Sequence, residues 1–191
     1  MKAREEEKNV YIEGYASSAI EDIHGERLSR EAIRLAASEI TKEPYNKLFL
    51  NHAPLRRDAT AIEKIPIGRI IYARPEGEKL WIQAVLNSSH PLFETVSQSI
   101  KNGFLNAFSM GFRVLKRVGK LVMRIQPLEV SLVGVPVNPQ AVVTDVYAKG
   151  VFFTSHEVLF TSDEVDFKVF EPQEQKATLK VELEDGELKI F

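Results

Sequence analysis

Residues 105–114, LNAFSMGFRV, combine large apolar side chains with a row of small ones. Side chains alternate between the two faces of a β-strand. One face of this predicted strand therefore carries three large side chains: Phe108, Met110 and Phe112. The other carries three small ones: Ala107, Ser109 and Gly111. The small face leaves room for another group to approach the hydroxyl of Ser109. The alternative is that this face packs closely on a neighbouring element, with Ser109 bonded to backbone.

The segments around this strand predict an α+β domain built on a mainly antiparallel sheet. We expect strands at residues 10–16, 48–50, 67–73, 79–86, 105–116, 121–125 and 128–135. Helices are predicted at residues 30–40 and 92–100, with Ser29 as the N-cap of the first and Gly103 ending the second. About seven strands flanked by two helices suggest a closed or nearly closed β-barrel.

The composition and charge of the chain change near residue 148. Residues 1–148 form the predicted barrel domain, and residues 149–191 form an acidic C-terminal extension. From Val151 onward the chain has ten acidic and four basic residues, whereas the whole chain has a net charge of −2. The end of the extension predicts a β-hairpin appendage with Asp185 and Gly186 as its turn.

Composition and charge exclude several classes of function. The chain has no cysteine, which excludes thiol catalysis, disulfides and cysteine-ligated zinc. A slightly negative net charge argues against nucleic acid as the primary partner. No apolar run approaches the roughly 18 residues of a membrane helix, and the N-terminal segment lacks a signal-peptide core. We therefore expect a cytoplasmic protein with no membrane partner.

Among the four histidines, His52 has the most favourable position for chemistry. It directly follows the short strand predicted at residues 48–50, so a rigid element would support an imidazole that a loop keeps reachable. His90 precedes a proline at the start of a helix, which favours a structural role. His24 in a polar loop and His156 in the acidic extension are expected to be exposed.

Glu129 interrupts an apolar run that otherwise predicts a core strand. Such a carboxylate lies either on a solvent face or paired inside the protein, and the alternation does not settle which. Together with Ser109 and His52 it supplies the residue types of a serine nucleophile, a general base and an orienting acid. These types occur in almost any chain. A metal site formed by His24, His52 and Glu129 is a weaker alternative, because no ligand spacing supports it.

Several blocks of the sequence resemble the prohead maturation proteases of HK97-like tailed viruses. These are serine peptidases related in fold to the herpesvirus assembly proteases. The matching blocks follow the order of the family: GYAS at 14–17, LFLNH at 48–52, PIG at 66–68, Gly103, FSMGFRV at 108–114, LEVSLV at 128–133 and PVNPQA at 136–141. They cover roughly residues 10 to 145. The extension has no matching block.

The resemblance implies a β-barrel fold and a site without cofactor or metal. It assigns three catalytic residues: Ser109 as the nucleophile, His52 as the general base and Glu129 as the third member. Two residues are alternatives for the third role: His90 and Asp58. Acyl transfer also needs an oxyanion hole. Backbone amides around Gly134 and Val135 are our candidates for it.

The function implied is that of a serine endopeptidase of viral capsid maturation. It would cleave scaffold or major capsid protein inside the assembling prohead, in the cytoplasm of a host cell. Cleavage of the protease itself and a homo-oligomeric form are both compatible with the resemblance. The alternative is a non-catalytic capsid assembly or scaffold module that retains the fold. A nucleic-acid-binding barrel is disfavoured, because the chain lacks a basic patch with aromatic residues.

Overall fold

The computed structural model describes residues 9–149 and four short strands beyond them. The described chain forms these main elements: β1 (Asn9–Ser18), β2 (Arg27–Leu28), α1 (Arg30–Glu39), β3 (Lys47–Leu50), β4 (Gly68–Glu76), β5 (Lys79–Leu86), α2 (Phe93–Lys101), β6 (Ala107–Val118), β7 (Leu121–Val133) and β8 (Val143–Lys149). The predicted α+β class is confirmed. Within the described residues, no helix is both long enough and apolar enough to cross a membrane.

The eight strands β1–β8 form one mixed sheet in the order β2-β7-β3-β4-β5-β1-β8. β2 and β3 pair with the two ends of β7 along one edge, and β6 pairs along the whole of its other edge. The short strands β2 and β3 run parallel to β7, and the remaining pairs are antiparallel. The prediction of a closed barrel is not supported. In the described chain β6 meets the start of β8 at one isolated bridge, between Ala107 and Val142. Beyond it β8 pairs with β1 and β6 pairs with β7, so the hydrogen-bonded ladder does not close.

The core lies between the sheet and the two helices. Its fully buried apolar side chains come from helices and strands alike and include Ile12, Ile33, Leu48, Ile82, Ile100, Phe108 and Leu132. Burying one such side chain contributes about 1.5–3 kcal/mol. Several core residues belong to β3, β6 and β7, so the three strands that carry the predicted site are anchored to the main core.

Both predicted helix caps are confirmed. The Oγ of Ser29 accepts a hydrogen bond of 3.0 Å from the backbone N–H of Ala32, which begins α1. After α2 the N–H of Gly103 donates to the carbonyl of Ile100, and that of Phe104 donates to the carbonyl of Ser99. Gly103 has φ of +75°, which glycine adopts without steric cost. This paired cap ends α2 and turns the chain into β6.

The prediction of two separate strands at 121–125 and 128–135 is wrong, because β7 runs through Pro127 as one strand of 13 residues. The strand pairing skips one position here: Gly111 is opposite Glu129, and Phe112 is opposite Pro127. Leu128 is therefore the extra residue of a β-bulge. A bulge tolerates proline because the ladder hydrogen bonds are locally interrupted. Strands β2 and β8 were not predicted: β2 lies in a polar segment, and β8 lies beyond the last strand that we expected.

In the extension the structure describes four strands as two antiparallel pairs. β9 (Phe152–Phe153) pairs with β10 (Val158–Leu159), and β11 (Val181–Glu184) pairs with β12 (Glu187–Ile190). The second pair confirms the predicted terminal hairpin. The predicted turn residues, Asp185 and Gly186, lie outside the described residues, as does His156. The division into two domains stays a prediction.

Candidate active site

The candidate site is built on β7, which has β6 on one side and β3 on the other. Ser131 of β7 is opposite Ser109 of β6 and opposite Phe49 of β3. Residues directly opposite each other in a sheet point to the same face, as do residues two apart along a strand. Ser109, Glu129 and Ser131 therefore share one face. The small face predicted for β6 lies beside the polar side chains of β7.

Both faces of this strand pair are buried. The opposite face carries Phe108 and Met110 of β6 with Val130 and Leu132 of β7, all in the main core. Glu129 is 1% exposed, although it is a carboxylate. The strand face that carries Glu129, which the sequence pattern left unassigned, is therefore buried. The carboxylate consequently needs partners inside the protein.

Gly111 provides the space that the Glu129 carboxylate occupies. A Cβ atom built on Gly111 would overlap Oε1 of Glu129 and lie 2.9 Å from Cδ1 of Leu55. The Glu129 carboxylate of β7 thus occupies the space that a side chain at Gly111 of β6 would fill. Leu55, from the segment after β3, also lies close to this position.

The chain leaves β3 through two residues in the left-handed region, Asn51 with φ of 46° and His52 with φ of 55°. Each such non-glycine residue costs roughly 1–2 kcal/mol, and such conformations cluster at functional sites. The Asn51 N–H still donates to the carbonyl of Leu132 at 3.0 Å. The Leu55 N–H then donates to the carbonyl of His52 at 2.9 Å, in a short 3-10 turn spanning Ala53–Leu55. This sharp turn directs the imidazole of His52 back towards β7.

His52 and Glu129 form a close pair. Nδ1 of His52 lies 2.6 Å from Oε1 of Glu129, and the His52 side chain is 29% exposed. The second carboxylate oxygen, Oε2, accepts a 2.6 Å hydrogen bond from the Oγ of Ser131. A partner on each oxygen offsets the cost of burying the carboxylate. With Nδ1 directed at Glu129, Nε2 is the ring nitrogen that can take a proton, and no described group hydrogen-bonds it.

Ser109 is 6% exposed and lines a cavity of about 190 Å³ together with His52. Within the described chain its Oγ makes no hydrogen bond, either to backbone or to His52. The alternative of a serine bonded to backbone is therefore not what the structure shows. In proteins without substrate, catalytic hydrogen bonds are often long and tighten only in the complex.

The two alternatives for the third catalytic role bond groups other than His52. The Nδ1 of His90 accepts a 3.0 Å hydrogen bond from the N–H of Leu92, so its Nε2 carries the proton and donates to the carbonyl of Ile62. Asp58 instead bonds Arg56 at 2.8 Å on the surface. The Arg56 guanidinium lowers the pKa of the Asp58 carboxyl below its usual value.

The loop after β7 contributes different residues to the cavity from those predicted. Gly134 and Val135, whose amides are candidates for the oxyanion hole, do not line the cavity, whereas Val137 and Asn138 do. The side-chain amide of Asn138 accepts from the Oγ of Ser18 at 3.0 Å and donates to the carbonyl of Ser18 at 3.1 Å. This double contact fixes the loop to the end of β1.

His24 also lines the cavity. It does not approach the His52–Glu129 pair as a third ligand, and no group of three candidate metal ligands occurs in the described part of the chain. The structure therefore gives no support to the alternative metal site.

Sequence reasoning missed the contacts of Ser131. Ser131 lies two positions after Glu129, and therefore on the same strand face, but no role was predicted for it. The signal for its importance was the presence of two polar residues on one face of an otherwise apolar strand. Such a pair favours a hydrogen bond between the two side chains.

Comparison with solved structures finds distant likenesses, among them two viral proteases. The KSHV protease, in a complex with a hexapeptide phosphonate inhibitor, is 10% identical, with a TM-score of 0.45 over 71% of this chain and 64% of that one. The varicella-zoster virus protease is 15% identical, with a TM-score of 0.44 over 72% of this chain and 64% of that one. The matches thus span less than two thirds of either viral protease, and likenesses at this level carry no functional conclusion.

No family model and no curated protein sequence matches the chain. Membership of the prohead protease family therefore stays a prediction based on the sequence blocks.

Proposed function

We propose that the protein is a serine endopeptidase with Ser109 as the nucleophile, His52 as the general base and Glu129 as the residue that orients the base. The observation that carries the proposal is the 2.6 Å contact between Nδ1 of His52 and the buried Glu129 carboxylate. This contact leaves Nε2 available beside a cavity that Ser109 also lines.

In the proposed reaction the Oγ of Ser109 attacks the carbonyl carbon of a peptide bond while Nε2 of His52 takes its proton. The ionised Glu129 carboxylate stabilises the imidazolium that forms. The imidazolium then gives its proton to the leaving amine as the carbon–nitrogen bond breaks. A water molecule then attacks the acyl carbon while His52 takes its proton, and His52 returns that proton to Oγ of Ser109 as the ester bond breaks. The developing oxyanion requires hydrogen-bond donors, for which the loop after β7 supplies candidate amides.

The proposed substrates are scaffold or major capsid protein segments inside an assembling prohead, with self-cleavage as a further activity. Support comes from the sequence blocks around Ser109 and Glu129, which resemble those of prohead proteases. The site requires no cofactor in this mechanism.

The second candidate is a capsid assembly or scaffold module that keeps this fold without catalysis. One observation favours it: among the described residues, no hydrogen bond joins Ser109 to His52. The close His52–Glu129 pair argues against it, because a purely structural module gains little from a buried carboxylate.

The test compares wild-type protein with Ser109→Ala and His52→Ala. Each is incubated with a fluorophosphonate probe and with capsid precursor, both as free protein and in assembled particles. We expect the wild type to be labelled and to cleave the precursor, and both variants to lose these activities. A wild type that neither labels nor cleaves in either state would contradict the proposed function and favour the assembly module.

A further inference from the structure

We propose that Ser131 is a positioning residue of this site, whose hydroxyl holds the Glu129 carboxylate and the backbone of His52 together. Its Oγ donates to Oε2 of Glu129 at 2.6 Å and accepts from the backbone N–H of His52 at 2.9 Å. One buried hydroxyl thereby connects the acid and the base of the pair. The effect of Ser131 on rate rests on the proposed function, whereas its effect on His52 is measurable without any activity.

The direction of these hydrogen bonds follows from the chemistry of the groups. A backbone N–H can only donate, so the Ser131 oxygen accepts from His52. The single hydroxyl hydrogen then goes to Oε2 of Glu129, which must accept it. The carboxylate is thus fixed by its second oxygen, and its first oxygen is held towards Nδ1 of His52.

No other described group replaces these contacts. The preceding residue, Asn51, donates its N–H to the carbonyl of Leu132 in continuation of the β3–β7 pairing. The next N–H, that of His52, does not bond the β7 backbone, and the Ser131 hydroxyl supplies its acceptor. Without this hydroxyl, the His52 N–H and Oε2 of Glu129 would each lose their bonded partner among the described residues.

The position also restricts the size of the side chain. Ser131 is fully buried, and it lies directly opposite Ser109 across the β6–β7 ladder. A long polar side chain here would extend into the space beside the proposed nucleophile. Serine supplies both hydrogen bonds with one carbon and one oxygen atom.

The main test variant is Ser131→Ala, and Ser97→Ala is its matched control. Ser97 of α2 is also buried, at 4% exposed, but its hydroxyl has no hydrogen-bond partner among the described residues. Both substitutions remove the same atom from a buried position, and they differ in the contacts that are lost. Ser131→Thr retains a hydroxyl and serves as the rescue variant.

The first readout is hydrogen exchange of the His52 backbone amide, followed by NMR. We expect this amide to be protected in the wild type and in Ser97→Ala, and to exchange at least about tenfold faster in Ser131→Ala. Ser131→Thr should restore protection. The wild-type measurement does not depend on the stability of any variant. An unprotected His52 amide in the folded wild type would overturn the inference.

The second readout is the steady-state kinetics of peptide cleavage. We expect Ser131→Ala to lower kcat by about 10–100-fold with little change in KM, since misplaced catalytic groups slow the chemical step more than they weaken binding. Ser97→Ala should keep both values. An unchanged kcat in Ser131→Ala would refute the positioning role. An inactive wild type would refute the proposed function, whereas an unprotected His52 amide refutes the role of Ser131 whether or not the protein is active.

Discussion

His52 and His90 are two imidazoles in one protein with opposite environments. The ring of His90 is buried, and both of its nitrogens are hydrogen-bonded to backbone groups, of Leu92 and Ile62. The ring of His52 is 29% exposed, with Nδ1 on the Glu129 carboxylate. Its Nε2 has no bonded partner in the described structure. Both ring nitrogens of His90 therefore join segments of the chain, whereas Nε2 of His52 is left able to take a proton.

The difference shows what a catalytic histidine needs beyond a suitable position in the sequence. Both residues lie at the boundary of a secondary-structure element, and their positions favoured different roles without showing what each ring contacts. The separating features are a buried carboxylate on one ring nitrogen and a cavity beside the other. Both features depend on contacts between segments far apart in the chain.

The largest expected effect comes from replacing the two histidines in turn. His52→Ala should lower kcat by about 10⁴-fold or more, because the nucleophile loses its base. His90→Ala should keep kcat within about twofold and lower the free energy of unfolding by about 1–3 kcal/mol, since a buried ring is removed and two backbone groups lose their partner. Peptide cleavage and urea unfolding of the two variants check this. A comparable loss of kcat in both would remove the distinction between the histidines.

Replacing the carboxylate partner should have the next largest effect. Glu129→Gln keeps the shape of the side chain but removes the charge that stabilises the imidazolium, so we expect kcat to fall by about 10²–10⁴-fold. Asp58→Asn is the matched control, because Asp58 bonds Arg56 on the surface and does not contact His52. This control should keep kcat within about twofold. If Asp58→Asn caused the larger loss, the assignment of the third residue would be wrong.

A smaller effect is expected from filling the space beside the carboxylate. Gly111→Ala places a methyl group where Oε1 of Glu129 lies, which should displace the carboxylate from His52. We expect kcat to fall by about 10–100-fold, and the unfolding free energy to fall by about 1–3 kcal/mol through overpacking. Fluorophosphonate labelling rates and thermal unfolding measure the two effects. A normal labelling rate in a folded variant would show that the exact position of Glu129 is unimportant.

The local features of this fold could be predicted from the sequence. The alternation in residues 105–114 correctly separated the core face, with Phe108, from the small face, with Gly111. The caps at Ser29 and Gly103 were also predicted, because each depends on hydrogen bonds within a few residues.

The features that were missed depend on how distant strands align. The continuity of β7 through Pro127 depends on a bulge that forms only against β6. The failure of the sheet to close depends on where β6 and β8 part after one bridge. The contact between Ser131 and His52 depends on the register of β3 against β7, which the separate segments do not encode.

The central claim is that Ser109 is the nucleophile served by His52, and the direct measurement is the site of covalent labelling. Wild-type protein is treated with a fluorophosphonate and digested, and the modified residue is identified by mass spectrometry. We expect one phosphonyl group on Ser109 and no label in His52→Ala. A label on another serine, or equal labelling of wild type and His52→Ala, would contradict the account.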